Sequence, residues 1–201
     1  KDGQIIEIQT KNLSALENKI KDTLEKKYKI TVVYPLVITN RIYLTDEEGK
    51  LVSKRKSPKK GNIYDIFDEL TKIYPYLLHK NFTLEVVHID MIEHRIKTSD
   101  AVQSKNKKRR YKKNWIKVNK RLEKIIRTDF FITRKDYLSF LPSTLPATFC
   151  AKDLSKCLKD DSSLPARIST KAHLIIWVLV RMNLIVQTEV KNKSRYYKIN
   201  R

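Results

Sequence analysis

Several groups of side chains in this sequence are of the types that hold a phosphate chain. Lys54, Arg55, Lys56 and Lys59 crowd into residues 53–61, and Lys108, Arg109 and Arg110 lie in residues 105–121, where ten basic residues meet no acid. Arg167, Thr170, Lys171 and His173 open an apolar helical stretch, and Lys191, Lys193 and Arg195 surround a polar turn with Tyr196 and Tyr197 beside it. Lysine offers a point charge and arginine a two-pronged donor to phosphate oxygens. Donors at the start of a helix also suit phosphates and base edges. Each group has a plainer alternative as solvated surface charge, and residues 53–61 read equally well as a solvated turn. A further pair, Glu7 and Gln9, sets a carboxylate and an amide two residues apart. In a strand that spacing puts both on one face, although the solvent face of an edge strand looks the same.

Other chemistries find little support. His79, His88 and His94 are spaced too irregularly for a metal site, and three glycines cannot build a glycine-rich phosphate loop. No Ser-His-Asp or Cys-His arrangement emerges from spacing. Cys150 and Cys157 lie two helical turns apart and read as buried thiols of a reducing cytoplasm. Asp65, Asp68 and Glu69 read as an exposed face that complements a helix N-terminus.

The charge balance points to a polyanion. Forty-three Lys and Arg against 22 Asp and Glu give a formal charge of +21 on 201 residues, which a neighbouring polyanion would relieve. Anionic membrane is the competitor, but the cations accompany folded-domain patterning rather than one amphipathic helix. The longest apolar run, residues 174–180, falls far short of the ~20 residues a membrane span needs. No secretory signal is visible. The expectation is an intracellular, cytoplasmic protein without a membrane partner.

The elements that must position these residues follow from periodicity. Ile5, Ile6 and Ile8 mark a strand, and Leu13, Leu16, Ile20 and Leu24 fall on one helical face. Residues 30–38 read as a buried strand bent at Pro35, and residues 41–44 and 51–52 as a hairpin. A helix from Ile63, capped by Asn62, and a strand over residues 82–89 complete an α/β domain of residues 1–100. Residues 101–127 read as a basic connector and a helix carrying Trp115, Val118, Leu122, Ile125 and Ile126, with the domain boundary near 98–112. Residues 128–201 give helices at 134–140, 151–158 and 170–182, then strands at 184–190 and 196–199. Thr133 caps the first helix, and Trp177 is expected in the core because apolar residues flank it. Asp2-Gly3 is a hairpin-turn dipeptide, so a partner strand, and hence missing N-terminal residues, is expected before it.

Three helices followed by a hairpin resemble the winged helix-turn-helix family over about residues 128–201. The resemblance implies that the third helix enters the major groove and the hairpin reaches the adjacent backbone. Such modules also serve in protein–protein contacts. Ile6-Glu7-Ile8-Gln9 followed by a helix looks like the third motif of PD-(D/E)XK nucleases, and the resemblance covers roughly residues 1–92. It implies a restriction-endonuclease-like mixed sheet flanked by helices, with Glu7 a ligand of Mg²⁺ and Gln9 where the family usually has Lys. Asp2 is the other acid before Glu7. The chain also resembles an uncharacterised group of prokaryotic proteins that pair this start with a similar basic loop, a resemblance that brings no established activity with it.

The expectation is thus an α/β nuclease-like domain and an α+β winged-helix domain, acting as a Mg²⁺-dependent endonuclease on double-stranded DNA. The alternatives are a non-catalytic DNA-binding regulator and a subunit of a nucleoprotein complex. A homodimer is a further expected form.

Overall fold

The computed structural model describes residues 3–104, 107 and 109–200. The first strand, β1 (Gln4–Ile8), lies parallel to β2 (Lys29–Thr45), with Gln4 opposite Lys29 and Ile8 opposite Val33. Between them a 3-10 turn, Leu13–Leu16, leads into α1 (Glu17–Glu25). The expected face forms: Leu13, Leu16, Ile20 and Leu24 are all buried.

Residues 29–45 make one continuous strand through Pro35, where two elements were expected. Pro35 removes one donor, but β-branched neighbours hold the extended conformation. The end of β2 folds back antiparallel onto β3 (Leu51–Lys56), with Tyr43 opposite Lys54 and Arg41 opposite Lys56. Residues 54–56, expected in a loop, are therefore strand. Gly61 then returns to β2, its N–H donating to the Val37 carbonyl at 3.0 Å. A side chain there would press within 2.3 Å of that same oxygen, so only glycine fits.

Asn62 opens the next turn, Ile63–Ile66, through a capping box with Asp65, and α2 (Phe67–Leu70) continues it. A 3-10 turn, Tyr74–Tyr76, precedes β4 (Phe82–Val102). The next element overturns an expectation: residues 113–131 form a strand, β5 (Lys113–Phe131), not a connector and helix. Ile116, Val118, Ile125, Ile126 and Thr128 are β-branched, and β4 offers a ladder beside them. Every residue from Ile116 to Arg127 is exposed, so their helical spacing marked no core face. The five-stranded sheet has the order β1-β2-β4-β5, with β3 on β2.

The last seventy residues run α3 (Arg134–Leu138), β6 (Thr148–Cys150), α4 (Ala151–Asp160), a 3-10 turn Ala166–Lys171, α5 (Ala172–Arg181), β7 (Ile185–Lys191) and β8 (Ser194–Ile199). Thr133 caps α3 in a capping box with Asp136, as its type and position predict. A second, three-stranded sheet has the order β6-β8-β7. The β7–β8 turn is Asn192-Lys193, both at positive φ (49° and 62°), the twist that a two-residue hairpin demands.

Two compact units share the chain. One gathers Lys1–Pro35, Asn62–Val86 and Asp129–Arg201; the other gathers Leu36–Gly61 and Val87–Thr128. These groupings cut across the expected bounds of 1–100, 101–127 and 128–201. In the first unit Phe140 joins the last two of its three segments: its ring meets Phe67 edge-on at 4.8 Å and stacks on Phe131 at 5.3 Å. The Tyr64 hydroxyl donates to the Phe140 carbonyl at 3.0 Å. Among the described residues no helix is long and apolar enough to cross a membrane.

Candidate nucleic-acid interface

Within the first unit, α4, α5 and the β7–β8 hairpin enclose an open groove of about 1690 Å³. The amphipathic helix α4 buries Leu154 and Leu158 and turns Lys152, Lys156 and Lys159 outward, at the i, i+4, i+7 spacing of one face. From α5 come His173, Trp177, Val180 and Arg181, while Ile175, Val178 and Leu179 fill the core on the other side. Thr170 precedes them, and the hairpin adds Lys193, Arg195 and Tyr196.

The electrostatics of this groove are one-sided. Lys152, Lys156, Lys159, Arg181, Lys193 and Arg195 line it with one carboxylate, Asp153. That carboxylate is engaged locally, accepting the Cys150 N–H at 2.9 Å. Among the described residues none of these six cations carries an ion pair, so their charge faces solvent.

The expected contacts divide sharply. Thr170, His173, Lys193 and Arg195 do lie in the groove, and Lys191 is exposed on β7 outside its lining. Arg167 and Lys171 turn instead to an acidic cluster. Arg167 forks onto Asp65, with Nη2 at 2.7 Å from Oδ2, and Lys171 Nζ lies 2.5 Å from Asp68 and 3.5 Å from Asp65. Their charge is spent inside the unit. Burial pushes the Asp65 carboxyl up, but hydrogen bonds from Arg167 and the Asn62 N–H, with the charges of Arg167 and Lys171, hold it below its ordinary value. Glu69, the third acid, accepts the Leu13 N–H at 2.9 Å. Burial first, then Glu69, Asp65 and Asp68, push the Tyr34 hydroxyl up to about 12.

In the second unit Lys54 and Lys56 share one face of β3 and Arg55 takes the other, so they form no single clamp. Lys54 sits over the Tyr43 ring, 4.9 Å from its centroid, and Lys59 is exposed in the following loop. Arg109 turns inward, donating to the carbonyls of Val102 and Trp115 at 3.2 and 3.3 Å. Arg110 stays exposed beside Tyr111. Lys108 lies outside the described residues.

Glu7 and Gln9 do share a face, but Gln9 falls just past β1, where its side chain reaches the Asn12 carbonyl at 3.4 Å. Glu7 pairs with Lys19 of α1. Mg²⁺ takes octahedral oxygen ligands, commonly one or two free carboxylates with waters completing the shell. Among the described residues no three His, Cys, Asp or Glu side chains gather as a metal site. A single carboxylate already held by an ammonium does not fit that ion, and Asp2 lies outside the described residues.

Sequence reasoning missed Lys152, Lys156, Lys159, Arg181 and Trp177. The lysine spacing on α4 was a legible signal. Trp177 was expected in the core, yet it is 39 % exposed. Nearly unbroken apolar neighbours hid which side of α5 meets solvent.

Residues 1–131 match a family described as a domain of unknown function, DUF8091. An "Uncharacterized protein" of Treponema pallidum (strain Nichols) is 33% identical over 159 residues, covering 77% of this chain. The chain spans 59% of that protein's length. No solved structure matches.

Proposed function

The chain belongs to the DUF8091 family, matched over residues 1–131, and for the segment beyond that match we propose that it binds nucleic acid in the groove between α4, α5 and the β7–β8 hairpin. One observation carries this reading: six unpaired cations line the groove with a single, internally engaged carboxylate. Such a surface releases counterions when it meets phosphates. The order helix, strand, helix, helix, hairpin, with its β6-β8-β7 sheet, supports the winged-helix resemblance. In that family the third helix and the hairpin touch nucleic acid.

Fluorescence anisotropy with labelled oligonucleotides across a salt series tests the proposal. Log affinity should fall with log salt at a slope of about 0.7–0.9 for each phosphate contacted. The triple variant K152E/K156E/K159E should lose at least about 100-fold in affinity and flatten the slope. A flat salt response in the native chain, or unchanged affinity in a folded triple variant, overturns the reading.

Phosphodiester hydrolysis is the second reading, favoured by the nuclease-like order in which β1 presents Glu7, a helix follows and β2 lies parallel. The described residues around Glu7 do not fit Mg²⁺, so the order of elements is what supports this reading. Equal plasmid nicking by the native chain and Glu7→Ala in Mg²⁺ or Mn²⁺ removes hydrolysis at this position.

A further inference from the structure

Trp177 occupies an unusual place for so large an apolar side chain. It is 39 % exposed, and it stands in the groove with Val180, itself 37 % exposed, one turn further along α5. We infer that the groove takes nucleic acid as a single strand, with an unpaired base stacked on the Trp177 indole. This rests on the nucleic-acid reading above and narrows it to a substrate class.

The exposed face of α5 is poorly equipped to read a duplex. Base edges in the major groove are recognised by side chains that donate or accept hydrogen bonds. This face offers Ser169, Thr170 and His173 at its start and Arg181 at its end, but its middle is Trp177 and Val180, which have little to give a base edge. A flat indole does suit the π-face of an unpaired base, whatever its sequence. The ring is also held in place. Tyr74 meets it edge-on, with centroids 5.6 Å apart and planes at 83°. The Arg181 guanidinium lies 5.4 Å from its centroid, which puts a cation within reach of the phosphate next to a stacked base. The α4 lysines on one side and Lys193 and Arg195 on the other give a backbone two cationic walls to follow. Positive walls around an aromatic platform are the common design of single-strand binding sites.

The experiment uses the full chain and four labelled probes: a 15-mer of dT, a 15-mer of U, a 15-base-pair duplex and a 15-mer abasic DNA backbone. The inference expects dT or U to bind more tightly than the duplex, and the abasic strand to bind about 10- to 100-fold more weakly. Trp177→Ala should lose a similar factor on dT or U and nothing on the abasic strand, while Trp177→Phe keeps most of the affinity. Tryptophan fluorescence should be quenched by dT or U in the native chain and not in Trp177→Phe. Circular dichroism melts check that the variants are folded. Salt-sensitive binding of all four probes at equal affinity, untouched by Trp177→Ala, overturns the single-strand inference alone. Absence of salt-sensitive binding to any probe overturns the nucleic-acid reading beneath it.

Discussion

Trp115 and Trp177 are the two tryptophans of the chain, and each lies against arginine. On β5, Trp115 meets two guanidinium groups, Arg95 at 3.6 Å and Arg109 at 4.1 Å from its ring centroid. Arg95 is held in turn by buried Glu93, with Nε 2.7 Å from Oε1, and Arg109 spends its donors on two carbonyls. Both arginines that lie over Trp115 are committed within their own unit. Around Trp177 a single arginine lies nearby, and the lysines across the groove have no acidic partner among the described residues. Cation density in sequence is therefore a poor guide to a binding surface. The densest basic run, residues 105–121, lends at least one of its arginines to structure, while sparser lysines on α4 stand free.

The two tryptophans should differ most in what they give to stability. Trp115→Ala should cost about 3 kcal/mol by urea unfolding, from lost burial and two lost cation–π contacts, with oligonucleotide affinity unchanged. If affinity falls and stability holds, the roles of the two tryptophans are reversed. Next comes Asp65→Asn, which strips Arg167 and Lys171 of their main partner and should cost about 2 kcal/mol at pH 7. The folded carboxyl sits below its unfolded value of about 3.9, so its contribution is full above that pH and fades as pH falls through the folded pKa. Native and variant unfolding free energies, measured from pH 7 to pH 3, should therefore converge at the acid end; a gap that widens there refutes the assignment. The smallest effect belongs to Lys54→Glu with Lys56→Glu on β3. Placed away from the groove residues in sequence and fold element, they should change affinity less than about threefold, through long-range charge alone. A loss as large as that of the α4 triple variant would make β3 part of the interface.

Much of the molecule was legible beforehand. The apolar spacing of Leu13, Leu16, Ile20 and Leu24 announced a helix and its buried face, and Asn62 and Thr133 announced helix starts by their side-chain chemistry. The turn at Asn192-Lys193 was visible as a polar break between two β-rich runs. Residues 113–131 failed because Trp115, Val118, Leu122 and Ile126 satisfy a helical spacing while the β-branched content favours a strand. Only the presence of β4 as a pairing partner resolves that tie. Arg167 and Lys171 failed for a related reason: their acidic partners lie about a hundred residues away, and spacing carries no information about them.

The amino-acid sequence by itself determined the positive charge, the helix caps, the amphipathic faces and the hairpin turn. These depend on residue type and on neighbours within a few positions, where backbone sterics and local hydrogen bonds act. Tertiary structure alone decided which cations are neutralised and which face solvent, that β5 is a strand, and that Trp177 lies open in a groove. Those outcomes depend on pairings between distant segments, because an ion pair or a ladder forms only where the fold brings both partners within hydrogen-bonding reach.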